Sequence, residues 1–151
     1  MANEIQIDYA SGHTVYAIVR NQVGHVWCPA TRVFEEWGNA GHDATNYAIV
    51  LTDRSGSRYQ GDFDTNISAG QYGIQCFLQA GATPAQSDAL IDSRAIFWTG
   101  TAELTAMKVL ANKMVQDKDT GAVDYYDDDQ QTVIFTHQIE EDAVTSARTV
   151  N

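Results

Sequence analysis

The sequence predicts a mainly β protein, an antiparallel β-sandwich joined by a short connecting helix to a C-terminal β-meander. Three observations predict it. About seven short β-prone runs, each ended by turn residues, follow one another at roughly 8 to 12 residue spacing over 1–100. The apolar period changes to steps of three and four over 101–116. Over 117–151, β-prone runs are separated by two acidic turns, Asp119-Thr120-Gly121 and Asp127 to Gln130.

Glu4 to Tyr9 alternates, with Ile5, Ile7 and Tyr9 on one side and Gln6 and Asp8 on the other, as a half-buried strand does. Ser11-Gly12-His13 turns it into Thr14 to Arg20, a β-branched and aromatic run, so the chain opens on a hairpin. Asn21 to Gly24 is a turn signal, and Val26-Trp27-Cys28 is the next strand, ended by Pro29, which cannot donate to a ladder. Thr31 to Thr45 holds Phe34, Trp37, Gly38 and Gly41 and is expected as a helical turn or a long loop anchored by its aromatics.

Tyr47 to Asp53 and Arg58 to Phe63 are strands around Asp53-Arg54-Ser55-Gly56-Ser57, whose glycine supplies the positive φ of a tight turn. In Tyr72 to Gln79, Tyr72, Ile74, Cys76 and Leu78 share one face and Gly73, Gln75, Phe77 and Gln79 the other. Gly81 to Ser87 is a loop, and Leu90-Ile91 with Arg94 to Trp98 make a last strand or strand pair. Leu104, Met107, Leu110, Ala111 and Met114 then recur at helical steps behind Thr101, a candidate N-cap, with Glu103 in the first turn.

Composition narrows the function. The net charge of -11, from 20 acidic and 9 basic side chains, opposes a phosphate backbone and argues against nucleic acid as a partner. No apolar run reaches the length of a membrane span, and Met-Ala-Asn-Glu-Ile-Gln-Ile-Asp has no signal-peptide pattern, so synthesis in a cytosol is expected. Cys28 and Cys76 are therefore expected as two small, semi-buried thiols and not as a disulfide.

Each chemical constellation has a plainer reading beside it. Asp117 and Asp119, followed by Gly121, have the alternating oxygens that begin a calcium loop, but no carboxylate closes a twelve-residue loop, and a hairpin turn accounts for them. Asp127 and Asp129, with Asp128 between them, face the same choice, and a solvated turn accounts for them. His25 and Cys28 are three apart in a strand and point to opposite faces, which is poor geometry for one metal. His42-Asp43 resembles the orienting pair of a nucleophilic triad, yet no serine sits in a nucleophile elbow. No enzyme activity, metal or cofactor is expected. Most aromatics lie in alternating strands and are core, whereas Trp37, in a glycine-containing loop, either anchors that loop or faces a partner.

The stretches Gly56 to Phe63, Ile67 to Tyr72, and Asn112-Lys113 to Thr136, with its Thr-Gly and Tyr-Asp-Asp-Asp turns, resemble small structural proteins of tailed-bacteriophage virions. The resemblance implies a β-sandwich module followed by a hairpin, in a virion component made in the host cytoplasm; head decoration, neck or collar, and tail accessory all fit. No catalytic residue comes with it. The expected role is non-enzymatic, through contacts with other virion proteins and symmetric self-association, for instance as a trimer. The interface expected from the sequence is one apolar row, Val115, Val123, Tyr125, Val133 and Phe135, continued by Ile139, together with Trp37. The alternative is a carbohydrate-binding or adhesion module in which Trp37, Tyr59 or Trp98 stacks on sugars and the acidic turns hold calcium.

Overall fold

Val15–Arg20 (β2) is apolar at both parities, and all of it except Arg20 is buried, so both faces of the sheet it lies in must be covered. Val15, Ala17 and Val19 enter one buried cluster, while Tyr16 and Ile18 enter another. The computed structural model describes residues 3–105, 113–126 and 131–137, and the chain divides into two units, Met1–Glu103 and Leu104–Asn151.

In the first unit, β2 is hydrogen-bonded along its whole length to Gly70–Leu78 (β8), which pairs in turn with Ala89–Trp98 (β9). On its other side lie Val26–Cys28 (β3), its hairpin partner Val33–Glu35 (β4), and Ile49–Val50 (β5). A second antiparallel sheet orders Ile5–Asp8 (β1), Arg58–Gly61 (β7) and Thr52–Asp53 (β6) as β1-β7-β6. Ile5, Ile7 and Tyr59 of this sheet share a core with Val15, Ala17, Val19, Ile74, Cys76, Ile96 and Trp98 of the larger one. That is the sandwich contact. The opposite face of the larger sheet is covered in part by the 36–48 segment, through Trp37, Tyr47 and Ala48.

Three expectations fail in this unit. The chain does not open on a hairpin, because β1 pairs with β7 in the smaller sheet while β2 pairs with β8, β5 and β3 in the larger one. Two further segments take other forms. Tyr47 to Asp53 is not one strand: it closes the short helix Ala44–Tyr47 (α1), pairs with β2 as β5, and pairs with β7 as β6. The chain crosses between sheets at Leu51, which is buried and whose amide still bonds to Val15 O at 2.9 Å. Thr31 to Thr45 is neither a single turn nor a plain loop, since it contains β4, a 3-10 turn at Asn39–Gly41 and the start of α1. β9 is one strand, with Ile91 as the extra residue where the register shifts between Cys76↔Asp92 and Phe77↔Leu90.

The helix expected over 101–116 is corrected at both described ends. Glu103 forms an isolated bridge to Trp98, and Met114–Gln116 is a strand (β10). Leu110 and Met107 lie outside the described residues. β10 pairs antiparallel with Val123–Tyr126 (β11), which pairs antiparallel with Val133–His137 (β12).

The 80–88 loop is held by one carboxylate. Buried Asp88 accepts the Ala85 amide at 2.8 Å, the Ala80 amide at 3.1 Å and the Tyr16 hydroxyl at 3.0 Å. The two amides foremost, then Tyr16, hold the Asp88 carboxyl below its ordinary range, while burial first and Asp88 second push the Tyr16 phenol up. A depressed carboxyl adds stability above its unfolded pKa and loses it as pH falls through the folded one. Thermal melts of the wild type should therefore fall as pH drops below about 4, and Asp88→Asn should start lower but lose less over the same window.

Candidate functional site

The larger sheet ends on β9, a ten-residue strand with no further strand beside it among the described residues except the Trp98 bridge to Glu103. Residues opposite one another in an antiparallel pair share a face. The outer face therefore carries the rungs Tyr16–Phe77–Leu90, Ile18–Gln75–Ser93 and Arg20–Gly73–Ala95, with Phe97 opposite Gln71. Leu90 and Phe97 are exposed. Natural sheets blunt long apolar edges or cover them with a partner. Here the blunting is local, with Arg94 tied to Glu103 at 2.8 Å and to the Glu4 carbonyl.

The three-stranded sheet of the second unit has a fixed register. Met114 pairs with Tyr125, and Tyr125 with Phe135; Val115 pairs with Asp124, and Asp124 with Thr136. The single row expected from the sequence is thereby divided. Val123 and Tyr125 share a face with Met114, whereas Val115 lies on the other face with Tyr126, the partner of Val133. Met114, Val115 and Val133 are 59%, 40% and 45% exposed, and Val123 and Tyr125 are partly buried. Both faces carry apolar surface. Ile139, Asp127 and Asp129 lie outside the described residues.

Asp117 acts in its own turn. Its carboxylate accepts the Asp119 amide at 2.8 Å, which heads the interactions that hold its pKa down, and Gly121 takes φ 74°. A hairpin turn accounts for Asp117 without a cation. Tyr59 and Trp98 are buried in the first core, which removes two of the three aromatics offered for sugar stacking. Trp37 is partly buried in the 36–48 segment, 5.0 Å from the Tyr47 ring and 5.5 Å from the Arg20 guanidinium carbon. It anchors that loop and also walls a cleft of ≈ 270 Å³ with Tyr16, Ile18, Arg20, Gln75 and Phe77. Burial lowers the Arg20 pKa, and its Nε donates to Gln75 Oε1 at 2.8 Å.

His42 is oriented by Glu35 and not by its neighbour Asp43, which caps α1 by accepting the Thr45 amide. Sequence reasoning missed Glu35, and with it the convergence of Cys28, Glu35 and His42, the one group of three such side chains among the described residues whose ligand atoms lie within 4.8 Å of one another. No spacing signal pointed to it, because the seven-residue steps from Cys28 to Glu35 and from Glu35 to His42 match no common metal-ligand spacing. Both cysteines are free and buried, and burial foremost, then Asp92, raises the Cys76 thiol to about 11. Among the described residues no helix is long and apolar enough to cross a membrane. No family model matches the chain, and comparison with curated proteins and with solved structures found no match.

Proposed function

We propose that the chain is a non-enzymatic structural protein of a tailed-bacteriophage virion, working through contacts with copies of itself and with other virion proteins. The observation that carries this reading is the second unit's sheet, with Met114 exposed on one face and Val115 and Val133 on the other. Three strands have too little surface to bury two apolar faces against themselves, so such a sheet is completed by a neighbour. The β9 edge offers a second contact of the same kind, in which main-chain pairing supplies affinity and exposed Leu90 and Phe97 supply selectivity. The virion setting rests on the resemblance of the turn motifs.

The intact chain is expected to sediment as a closed oligomer. Combining Val115→Asp with Val133→Asp, both at exposed positions of the single chain, should leave the circular dichroism spectrum intact. Two interface lesions of about 2 kcal/mol each correspond to a loss of association of roughly a thousand-fold. A chain that stays monomeric at high concentration, or variants that assemble as the wild type does, would overturn the reading. A carbohydrate-binding role is favoured by the cleft beside Trp37. In that case glycans change the tryptophan fluorescence of the same samples, and on the assembly reading they leave it flat.

A further inference from the structure

We infer that Cys28, Glu35 and His42 form a binding site for a zinc-class divalent cation. The site is built by the β3–β4 hairpin and the segment that follows it. Glu35 pairs with Val26 and Cys28 with Val33, so Cys28 and Glu35 project from the same face of the hairpin. The chain then folds back sharply, with Gly38, Ala40 and Gly41 at φ 84°, 53° and 79°. A left-handed alanine is unfavourable, and such backbone is retained where its surroundings impose it, often at binding sites. The reversal delivers His42 onto Cys28 and Glu35. The capping box of α1, in which Asp43 accepts the Thr45 amide and Asn46 Oδ1 accepts the Asp43 amide, fixes the point at which His42 leaves the chain.

The atoms that converge are a sulfur, a nitrogen and an oxygen. His42 Nδ1 lies 2.5 Å from Glu35 Oε1 and 4.0 Å from Cys28 Sγ. One ring nitrogen thus faces both partners. In a nucleophilic triad the two nitrogens are divided, one towards the nucleophile and one towards the acid, so this geometry is a convergence point and not a relay. Tetrahedral zinc with bonds of 2.0–2.3 Å sets its ligand atoms roughly 3.3–3.8 Å apart. Here the sulfur is slightly far and the oxygen close, as expected when a shared proton occupies the place of the cation. Binding displaces that proton and the thiol proton.

Charge, support and access fit the same ligand. A thiolate, a carboxylate and a neutral imidazole together balance a dication, which a largely buried site requires. Glu35 Oε2 accepts Asn39 Nδ2 at 3.0 Å, leaving Oε1 for the ion, and the Tyr47 ring packs edge-on against His42 at 6.1 Å. Second-layer partners of this kind orient ligands. Cys28 and Glu35 are buried while the His42 side chain is 24% exposed, so the site opens to water on the histidine side, where a water completes the coordination.

The test uses the full chain, stripped of metal and titrated with Zn²⁺ against a chromophoric chelator, and with Co²⁺ for its spectrum. One equivalent of Zn²⁺ should bind and raise the melting temperature, and Co²⁺ should give a thiolate charge-transfer band with the d–d bands of a tetrahedral site. His42→Gln, at a partly exposed position, and Cys28→Ser should each weaken Zn²⁺ by at least about 100-fold, and Asn39→Ala by about 10- to 100-fold. Cys28→Ser should also abolish the charge-transfer band. If the wild type gives neither the Co²⁺ spectrum nor a Zn²⁺-dependent melt, the three side chains are only a hydrogen-bonded clasp of the loop. Retention of full Zn²⁺ affinity in both ligand variants would place the ion elsewhere and overturn the inference as well.

Discussion

Replacing Trp98 by alanine is expected to remove about 3–5 kcal/mol of folding free energy, read as a lower urea midpoint with an unchanged slope. Trp98 is 3% exposed at the end of β9 and packs 4.8 Å from the Phe63 ring, between the two sheets. Its indole N–H donates to Ile67 O at 2.9 Å, tying the 62–69 connection to the edge strand. Truncation leaves a cavity at the sandwich contact and an unpaired carbonyl. Trp98→Phe keeps an aromatic ring in the core but loses the donor and part of the indole volume, for a smaller expected loss of about 1–3 kcal/mol. Equal losses in the two variants would mean that packing around the indole contributes little.

The second large effect is at Tyr59, where removing one oxygen should lower stability by about 1–3 kcal/mol. The Tyr59 hydroxyl accepts the His13 amide at 3.0 Å and stands 3.0 Å from the carbonyls of both Ala10 and His13. A phenol from β7 thus closes the turn between β1 and β2 from inside. Tyr59→Phe fills the same space but leaves the part-buried His13 amide without its acceptor. Hydrogen exchange at that amide should rise to the rate of an open turn while exchange in β8 follows only the global loss. Retained protection at His13 would show that the turn holds without the hydroxyl.

Much of the first unit was legible because its strands are short and bounded. Alternation in Glu4 to Tyr9 identifies β1 and its inward Ile5 and Ile7, and the Asp53 to Ser57 turn carries Ser55, Gly56 and Ser57 at φ 66°, 62° and 66°. Where the reading failed, strand pairing and not local pattern was decisive. Tyr47 to Asp53 looks like one strand because β-propensity is local. It is split because the chain leaves β2 for β7 at Leu51. The apolar steps of 101–116 suggest a helix, yet Met114–Gln116 pairs with β11. The interface row was composed without a register, and a shift of one residue exchanges Met114 for Val115 on the face that holds Tyr125.

The candidate metal site follows the same rule. Cysteine, glutamate and histidine at seven-residue intervals have no recognisable ligand spacing, and neither strand pairing nor the left-handed turn at Ala40 can be inferred from residue types alone. Residue order by itself determined most of the extended segments and turns of the first unit, the acidic charge and the antiparallel β class, because those depend on neighbours within a few positions. Tertiary structure alone decided which apolar side chains share a face, which tryptophan is core and which walls a cleft, and that Cys28, Glu35 and His42 meet. Those depend on strand register and on how segments fold back on one another, which local propensity does not encode.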